Sequence, residues 1–243
     1  MRLDKLLANI GYGSRKEVKK MLKQGGVLID GVPAKGGNEH VEPEKQEISV
    51  FGEPIEYQEY IYLMMNKPAG VISATEDEVQ ETVIDLLEFE DAVRGIFPIG
   101  RLDKDTTGLL LLTNDGKFSH ALTSPKKGLT KTYEALINEP ITEDDVLEFR
   151  DGVYLDDGYK TKPAVLSRKE NGQPNEITLV ITEGKFHQVK RMFESVGKKV
   201  LQLKRTHIGS LPLDEDLEPG EYREMDKDDV EKLLEEAYQK PAD

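Results

Sequence analysis

The chain has 243 residues, of which 37% are hydrophobic and 33% are charged, and it contains no cysteine. The absence of cysteine excludes disulfides, thiolate-bound zinc, iron–sulfur clusters and a cysteine nucleophile. The longest apolar runs, residues 61–65 and 109–112, fall far short of the roughly 20 residues that a membrane-spanning helix needs. The N-terminus carries an acidic residue early, at Asp4, and leads into no apolar segment of the signal-peptide kind. We therefore expect a cytoplasmic protein without a membrane partner.

The formal net charge of −14 conceals two basic regions in an acidic chain. Residues 1–35 carry a net charge of +5 and residues 169–210 a net charge of +4. In contrast, residues 36–120 carry −12 and residues 211–243 carry −9. Because the local potential decides where a polyanion binds, the acidic total does not exclude nucleic acid.

The first basic region predicts two short helices and a hairpin. Apolar residues at helical spacing indicate a helix over residues 2–9, and Ser14 with Glu17 forms the capping box of a second helix. The Asp30-Gly31 pair predicts a tight turn between two strands within residues 27–32. The basic side chains that we expect on the surface of the second helix are Arg15, Lys16, Lys19, Lys20 and Lys23.

These segments resemble the S4 RNA-binding module, in which the second helix and the adjoining hairpin bind structured RNA. The similar stretches are residues 2–7, 14–18 and 27–31. The resemblance implies a small S4-like α/β domain over residues 1–50, in which Arg2 joins the basic side chains of the second helix as RNA ligands. Residues 51–59, which are rich in Glu, are predicted to be an acidic linker.

Residues 60–243 are predicted to form a second domain of the α+β class. Strands and helices are mixed without regular crossover helices, which favours a mixed, largely antiparallel sheet flanked by helices over a doubly wound fold. The predicted strands cover residues 61–66, 109–113, 131–137, 165–166, 176–182 and 201–207. The predicted helices cover residues 82–88, 116–123, 142–149, 187–196 and 230–237.

Residues 100–106 place two carboxylates, Asp103 and Asp105, on a loop before a strongly apolar strand. A loop anchored by a rigid strand is a suitable place for a reactive group. The neighbouring cations Arg101 and Lys104 would favour an ionised Asp103 if they also lie close in space. From the residues alone, the loop is either a reactive site or an Asp-rich turn in which Asp103 is a structural cap.

The same loop resembles the catalytic motif of RNA pseudouridine synthases, in the form found in the RsuA branch. The resemblance implies that Asp103 is the catalytic nucleophile and that Asp105 is not. The Lys-Thr-Tyr stretch that ends at Tyr133 is similar to a family strand whose tyrosine stacks on the target base. Residues 183–193 are similar to a third motif, in which Lys190 would pair with the catalytic carboxylate.

Further residues receive supporting roles from this resemblance. The turn at residues 66–70 is similar to a family turn that precedes the catalytic loop and packs near it, which gives Lys67 a supporting role. Arg101 and Arg191 are likewise expected to support the site, and Lys185 to contact RNA.

The resemblance further implies a pseudouridine synthase fold. It also implies an enzyme that converts a uridine of ribosomal RNA, in the small-subunit 16S RNA, to pseudouridine. This isomerisation involves no redox change and no net hydrolysis, so we expect no cofactor and no metal. The four histidines lie far apart without ligand spacing, and no Gly-Lys-Ser/Thr phosphate loop is present. The expected partner of a monomeric enzyme is 16S RNA, either free or within a partly assembled small subunit.

Three alternatives remain open at this stage. The chain could modify 23S RNA instead of 16S RNA. It could be a non-catalytic RNA-binding factor of ribosome assembly, although the joint presence of Asp103, Tyr133 and Lys190 favours a working site. It could also be a carboxylate-metal nuclease that uses Asp103 and Asp105.

Overall fold

A computed structural model describes residues 1–124 and 127–239. The chain divides into two compact units. The first unit comprises Met1–Ile61 and Leu87–Ile96, and the second comprises Tyr62–Leu86 and the described residues from Phe97 onward.

The helices and strands of both units are numbered here in chain order. The helices are α1 (Leu3–Asn9), α2 (Arg15–Leu22), α3 (Phe89–Ala92), α4 (Gly116–Thr123), α5 (Glu143–Asp151), α6 (Gln188–Ser195) and α7 (Lys227–Tyr238). The strands are β1 (Val27–Ile29), β2 (Val32–Pro33), β3 (Ile48–Val50), β4 (Glu53–Pro54), β5 (Tyr62–Lys67), β6 (Phe97–Pro98), β7 (Thr107–Thr113), β8 (Lys131–Ile137), β9 (Val165–Arg168), β10 (Glu176–Ile181), β11 (Val200–Ile208), β12 (Leu211–Pro212) and β13 (Tyr222–Glu224).

The first unit packs α1 and α2 with an antiparallel sheet of order β2-β1-β3-β4. The predicted capping box of α2 is confirmed, because the Ser14 hydroxyl accepts from the Glu17 amide and the Glu17 carboxylate accepts from the Ser14 amide. The predicted hairpin is also confirmed. Asp30 and Gly31 both have positive φ, 51° and 77°, which matches the right-handed twist of β1 and β2.

The predicted acidic linker contains ordered structure. Strand β4 lies inside it and pairs with β3, with Val50 opposite Glu53. The connecting turn is made by Phe51 and Gly52, which both have positive φ, and Ile55 and Tyr57 pack on the apolar core of the first unit. The first part of residues 51–59 is therefore a paired strand of the first unit. The domain boundary at residue 50 stays a prediction.

The second unit has a large mixed sheet of order β13-β5-β7-β11-β8-β10-β9, with β6 and β12 paired to β7 and β11. Only the β7–β11 pair is parallel among the described pairs, so the expected α+β class with a largely antiparallel sheet is confirmed. Strand β7 lies between β5 and β11, and the four leucines of residues 109–112 are fully buried. Helices α4 and α7 pack on the core that includes Leu109 and Leu111.

The helix predicted over residues 82–88 is absent. Thr82 and Asp85 do form reciprocal bonds of the kind that begins a helix, at 2.8 Å and 3.4 Å. However, the chain does not continue as a helix, and the Val83 amide donates across the loop to the Ile72 carbonyl at 3.0 Å. Val83 and Leu87 are buried. The apolar residues of this segment therefore pack inward from a folded loop and not from a helix.

Helices α4, α5, α6 and α7 and strands β5, β7, β8, β10 and β11 lie where the sequence placed them, within two or three residues at their ends. Short strands β6, β12 and β13 were not predicted. No helix in residues 1–124 and 127–239 has the length and apolarity to cross a membrane.

Candidate active site

The carboxylate loop, defined here as residues 100–106, runs from just after β6 to the start of β7 and is fixed at several points by its neighbours. The Ser73 hydroxyl accepts from the Leu102 amide and donates to the Leu102 carbonyl, both at 3.0 Å. The Gly70 amide donates to the Lys104 carbonyl at 2.8 Å. These bonds hold both sides of Asp103.

The Lys67 side chain hydrogen-bonds to backbone carbonyls of the carboxylate loop and of the preceding turn. Its side chain is fully buried, and its Nζ donates to the carbonyls of Pro68 at 2.9 Å and Thr106 at 3.0 Å, with a longer contact of 3.4 Å to Lys104. Burial lowers the pKa of Lys67 to about 8, although the charges of Asp105 and Asp103 oppose this shift. The supporting role that was predicted for Lys67 thus corresponds to a hydrogen-bonded clamp on the loop.

Gly108 allows β7 to approach β11 closely just after the loop. Its φ is 96°, and a Cβ atom at this position would lie 2.2 Å from the Arg205 carbonyl oxygen. Only glycine fits such a position without displacing the backbone of β11.

Lys190 joins the two carboxylates of the loop. Its Nζ lies 3.2 Å from Asp103 Oδ2 and 2.6 Å from Asp105 Oδ1. Burial by itself would lower the pKa of Lys190, but the hydrogen bonds to Asp105 and Asp103 outweigh it and raise that pKa. The bond from Lys190 in turn lowers the pKa of Asp105. Both shifts favour the charged forms of Lys190 and Asp105, so this ion pair persists at neutral pH.

A buried polar network fixes the start of α6 and so positions Lys190. Gln188 accepts from the Lys185 amide at 2.8 Å and donates to Glu183 Oε1 at 2.9 Å. Glu183 also accepts from the Tyr159 hydroxyl at 2.7 Å. His187, which precedes the helix, has a left-handed backbone with φ of 49°.

Asp103 opens into a cavity of about 350 Å³. Tyr133, only 8% exposed, and Leu203 contribute to its wall. Asp105 does not line this cavity and has a side chain that is 72% exposed. The two carboxylates bonded to Lys190 thus differ, since only Asp103 lines the cavity beside Tyr133.

The predicted supporting residues Arg101 and Arg191 differ in their contacts. Arg101 lines the cavity, but it does not pair with Asp103, and Lys104 donates instead to Gln80 at 3.0 Å. Arg191 does not line the cavity, since its guanidinium pairs with Asp157 at 2.7 Å and with Asp156, and its supporting role stays a prediction. A helix turn takes 3.6 residues, so adjacent positions on α6 point in different directions.

The predicted RNA-binding residues also fall into two groups. Arg2 is paired with the buried Asp4 at 2.6 Å, and Lys19 lies 4.0 Å from the same carboxylate. The other four side chains are exposed and form no ion pair with a described residue: Arg15, Lys16, Lys20 and Lys23. Lys185 lines the cavity, and its Nζ lies 4.6 Å from the ring centroid of Tyr159.

Sequence reasoning missed His187 and Phe186. The His187 Nε2 lies 3.7 Å from Asp103 Oδ1, and its ring stacks on the 70% exposed ring of Phe186 at a centroid distance of 3.7 Å. The spacing of three between His187 and Lys190, one helical turn, was the available signal. Across residues 1–124 and 127–239, no group of three or more His, Asp or Glu side chains is arranged to hold a metal ion.

Two family models match the chain. The model described as RNA pseudouridylate synthase matches residues 61–195, and the S4 domain model matches residues 1–46.

Curated relatives match along nearly the whole length of the chain. An uncharacterized RNA pseudouridine synthase of Bacillus subtilis is 56% identical and covers 97% of this chain and 99% of its own. A ribosomal small subunit pseudouridine synthase A of Yersinia pestis is 42% identical, covering 95% and 97%, and the Escherichia coli protein of that name is 38% identical, covering 96% and 100%.

A crystal structure of a pseudouridylate synthase with 37% sequence identity superposes with a TM-score of 0.67 and covers 96% of this chain and 99% of that one. The site is that of an RNA-modifying isomerase with an S4 domain at its N-terminus. The chain belongs to the RNA pseudouridine synthase family.

Proposed function

We propose that the chain converts a uridine of small-subunit 16S ribosomal RNA to pseudouridine, with Asp103 as the nucleophile. The observation that carries the proposal is the placement of the Asp103 carboxylate in the cavity beside Tyr133, with Lys190 3.2 Å away. The membership of the chain in the pseudouridine synthase family supports the reaction class.

The reaction balances within one nucleotide. The bond from N1 of uracil to C1′ of the ribose breaks, a bond from C5 to C1′ forms, the proton on C5 is lost and N1 gains one. An ionised carboxylate held beside the base is suited to act as the nucleophile of such a transfer. The Lys190 ammonium attracts the Asp103 carboxylate and orients it toward the base.

The cavity also supplies a place for the flipped base. Extruding a nucleotide from its stack costs a few kcal/mol, and stacking on an aromatic ring such as Tyr133 returns about 1–3 kcal/mol. Asp105, whose side chain is 72% exposed, would then act on Lys190 and not on the base.

The substrate assignment rests on the relatives and on the first unit. Several relatives carry the name ribosomal small subunit pseudouridine synthase A, and the S4 match together with the exposed cations of α2 supports binding to structured RNA. We infer a monomeric enzyme that works in the cytoplasm on 16S RNA, free or within a partly assembled small subunit.

The variant Asp103→Asn tests the proposal. It removes the nucleophile while keeping nearly the same shape, so pseudouridine formation in 16S RNA should fall on the order of 10³-fold or more. Binding of the same RNA should stay within about threefold. Carbodiimide-based mapping of the RNA measures the product, and continued modification by the variant would refute the role of Asp103.

A further inference from the structure

A second cavity, of about 150 Å³, adjoins the first one in the second unit. Arg101, Tyr133 and the backbone at Gly100 and Gly184 contribute to the walls of both cavities. A nucleotide stacked on Tyr133 would therefore have the second cavity directly beside it. Neither the expected site residues nor the family resemblance gave this cavity a role.

Arg205 lies in the wall of this second cavity with unused hydrogen-bonding capacity. The residue is 5% exposed, and its Nε donates to the Leu109 carbonyl at 2.8 Å. Its Nη2 is buried and has no hydrogen-bond partner among the described residues. A buried guanidinium nitrogen without an acceptor costs free energy. A rotation of the guanidinium that brings Nη2 to the cavity would let a bound anion recover that cost.

Lys131 brings a second cation to the same cavity. On β8 it lies two residues before Tyr133, which is opposite Arg205 in the register, so the three side chains project from one face of the sheet. Its Nζ donates to the Leu129 carbonyl at 2.7 Å. Burial first, and then repulsion from Arg205 and Lys162, lower the pKa of Lys131 to about 8. A bound anion would relieve this repulsion.

One carboxylate, that of Glu183, also lines the cavity, but both of its oxygens are occupied. Oε1 accepts from the Lys162 amide at 2.9 Å and from Gln188 at 2.9 Å, and Oε2 accepts from the Tyr159 hydroxyl at 2.7 Å. Glu183 forms no ion pair with Arg205 or Lys131. The cations Arg101, Lys131 and Arg205 outnumber this one carboxylate, so the lining has an excess of positive charge.

We propose that the second cavity binds a phosphodiester group of the RNA strand next to the target uridine, with Arg205 and Lys131 as its ligands. This inference rests on the proposed function. The fork of the guanidinium matches the oxygens of a phosphate, and Lys131 adds a point charge. Because Tyr133 lines both cavities, the second cavity would hold the backbone of the nucleotide whose base stacks on Tyr133.

The variant Lys131→Gln tests the site, and Lys232→Gln, an exposed lysine on α7, is the matched control for net charge. We expect the dissociation constant for a 16S RNA fragment to rise about tenfold in Lys131→Gln and to stay unchanged in the control. The salt slope of log Kd should become shallower by about 0.7–0.9, which is the loss of one phosphate contact. Arg205→Lys should give a similar loss of affinity, provided that its Tm shows a folded protein, since Arg205 also bonds β7.

A neutral methylphosphonate in the RNA identifies the contacted phosphate. Replacing the phosphodiester on one side of the target uridine should weaken binding to the wild type about tenfold. At that position the Lys131→Gln variant should show no further loss, because the two changes remove one interaction. If the losses add in full at both flanking positions, the phosphate site is wrong.

Inorganic phosphate serves as the probe for the other source of such an anion. A rise in Tm with phosphate that Lys131→Gln abolishes, together with unchanged RNA affinity and salt slope, would assign the cavity to a free anion and overturn the RNA contact. Pseudouridine formation by the wild type tests the proposed function independently of the phosphate site. A wild type that forms no pseudouridine overturns that function, whereas an active wild type with fully additive losses overturns only the phosphate site.

Discussion

Lys190 in the second unit contacts two carboxylates within 3.2 Å, whereas Lys16, Lys20 and Lys23 on α2 are exposed and form no ion pair with a described residue. A paired and partly buried cation has a fixed position but little charge left to attract a distant polyanion. An unpaired exposed cation keeps that attraction, which salt then screens. The contrast teaches that Lys190 is placed for geometry, whereas the exposed lysines of α2 are placed for affinity.

Lys190→Met removes the cation that fixes the geometry of the site. Among the lysine variants, it should cause the largest loss of rate. Two carboxylates would lose their common partner and repel each other in a partly enclosed site. We expect the single-turnover rate to fall roughly 10²–10³-fold, in the range seen when one transition-state donor is removed, with RNA affinity changed less than about threefold. Rapid-quench kinetics with labelled RNA measure the rate.

Two control variants sharpen this result. Lys190→Arg keeps the charge and should retain more activity than Lys190→Met. Arg191→Gln removes a neighbouring cation that pairs with Asp156 and Asp157, and its rate should stay within about threefold of the wild type. If Arg191→Gln were the slower enzyme, the assignment of the pairing residue to Lys190 would fail.

The triple variant Lys16→Gln, Lys20→Gln, Lys23→Gln tests whether the exposed lysines of α2 contribute to RNA affinity. Each lysine that neutralises a phosphate contributes about 0.7–0.9 to the salt slope, so the slope should become shallower by roughly 2–3. Affinity for 16S RNA should fall about 10–100-fold at low salt, while the single-turnover rate at saturating enzyme changes far less. A variant with normal affinity and a reduced rate would reverse the comparison.

Lys67 tests whether a cation can stabilise geometry without a direct carboxylate partner. Its buried ammonium has a pKa of about 8, against 10.5 in the unfolded chain, so between these values the unfolded state binds more protons than the native state. Stability from this group therefore rises with pH across that window and is lower below it. Relative to Lys67→Met, the wild type should gain roughly 1–3 kcal/mol in free energy of unfolding between about pH 8 and 10.5.

Urea unfolding of both proteins at several pH values measures this gain. The difference between the two proteins cancels the titration of other groups, Lys131 included. A difference that stays constant with pH would show that Lys67 remains charged when buried.

Local signals predicted much of the fold. The capping box of Ser14 and Glu17 and the turn at Asp30-Gly31 depend on neighbours within a few residues, and both are present as expected. The helix predicted over residues 82–88 is absent, and Ile72 instead bonds the backbone of Glu81 and Val83 across the loop. Propensity and periodicity contain no information about such a partner.

The site shows the same division. Motif resemblance placed Asp103, Tyr133 and Lys190 correctly in one neighbourhood, as their distances and shared cavity show. It could not supply the carbonyl clamp of Lys67, the contact of Lys190 with Asp105, or the cavity between Arg205 and Lys131. Each of these depends on strand register or on loop packing between residues far apart in sequence.

The most direct test of the account compares Asp103→Asn with Asp105→Asn in single-turnover assays on the same RNA. Both variants remove one carboxylate charge beside Lys190, but only Asp103 faces the cavity. The account predicts a loss on the order of 10³-fold or more for Asp103→Asn and a loss of less than about tenfold for Asp105→Asn. Equal losses, or a more active Asp103→Asn, would contradict it.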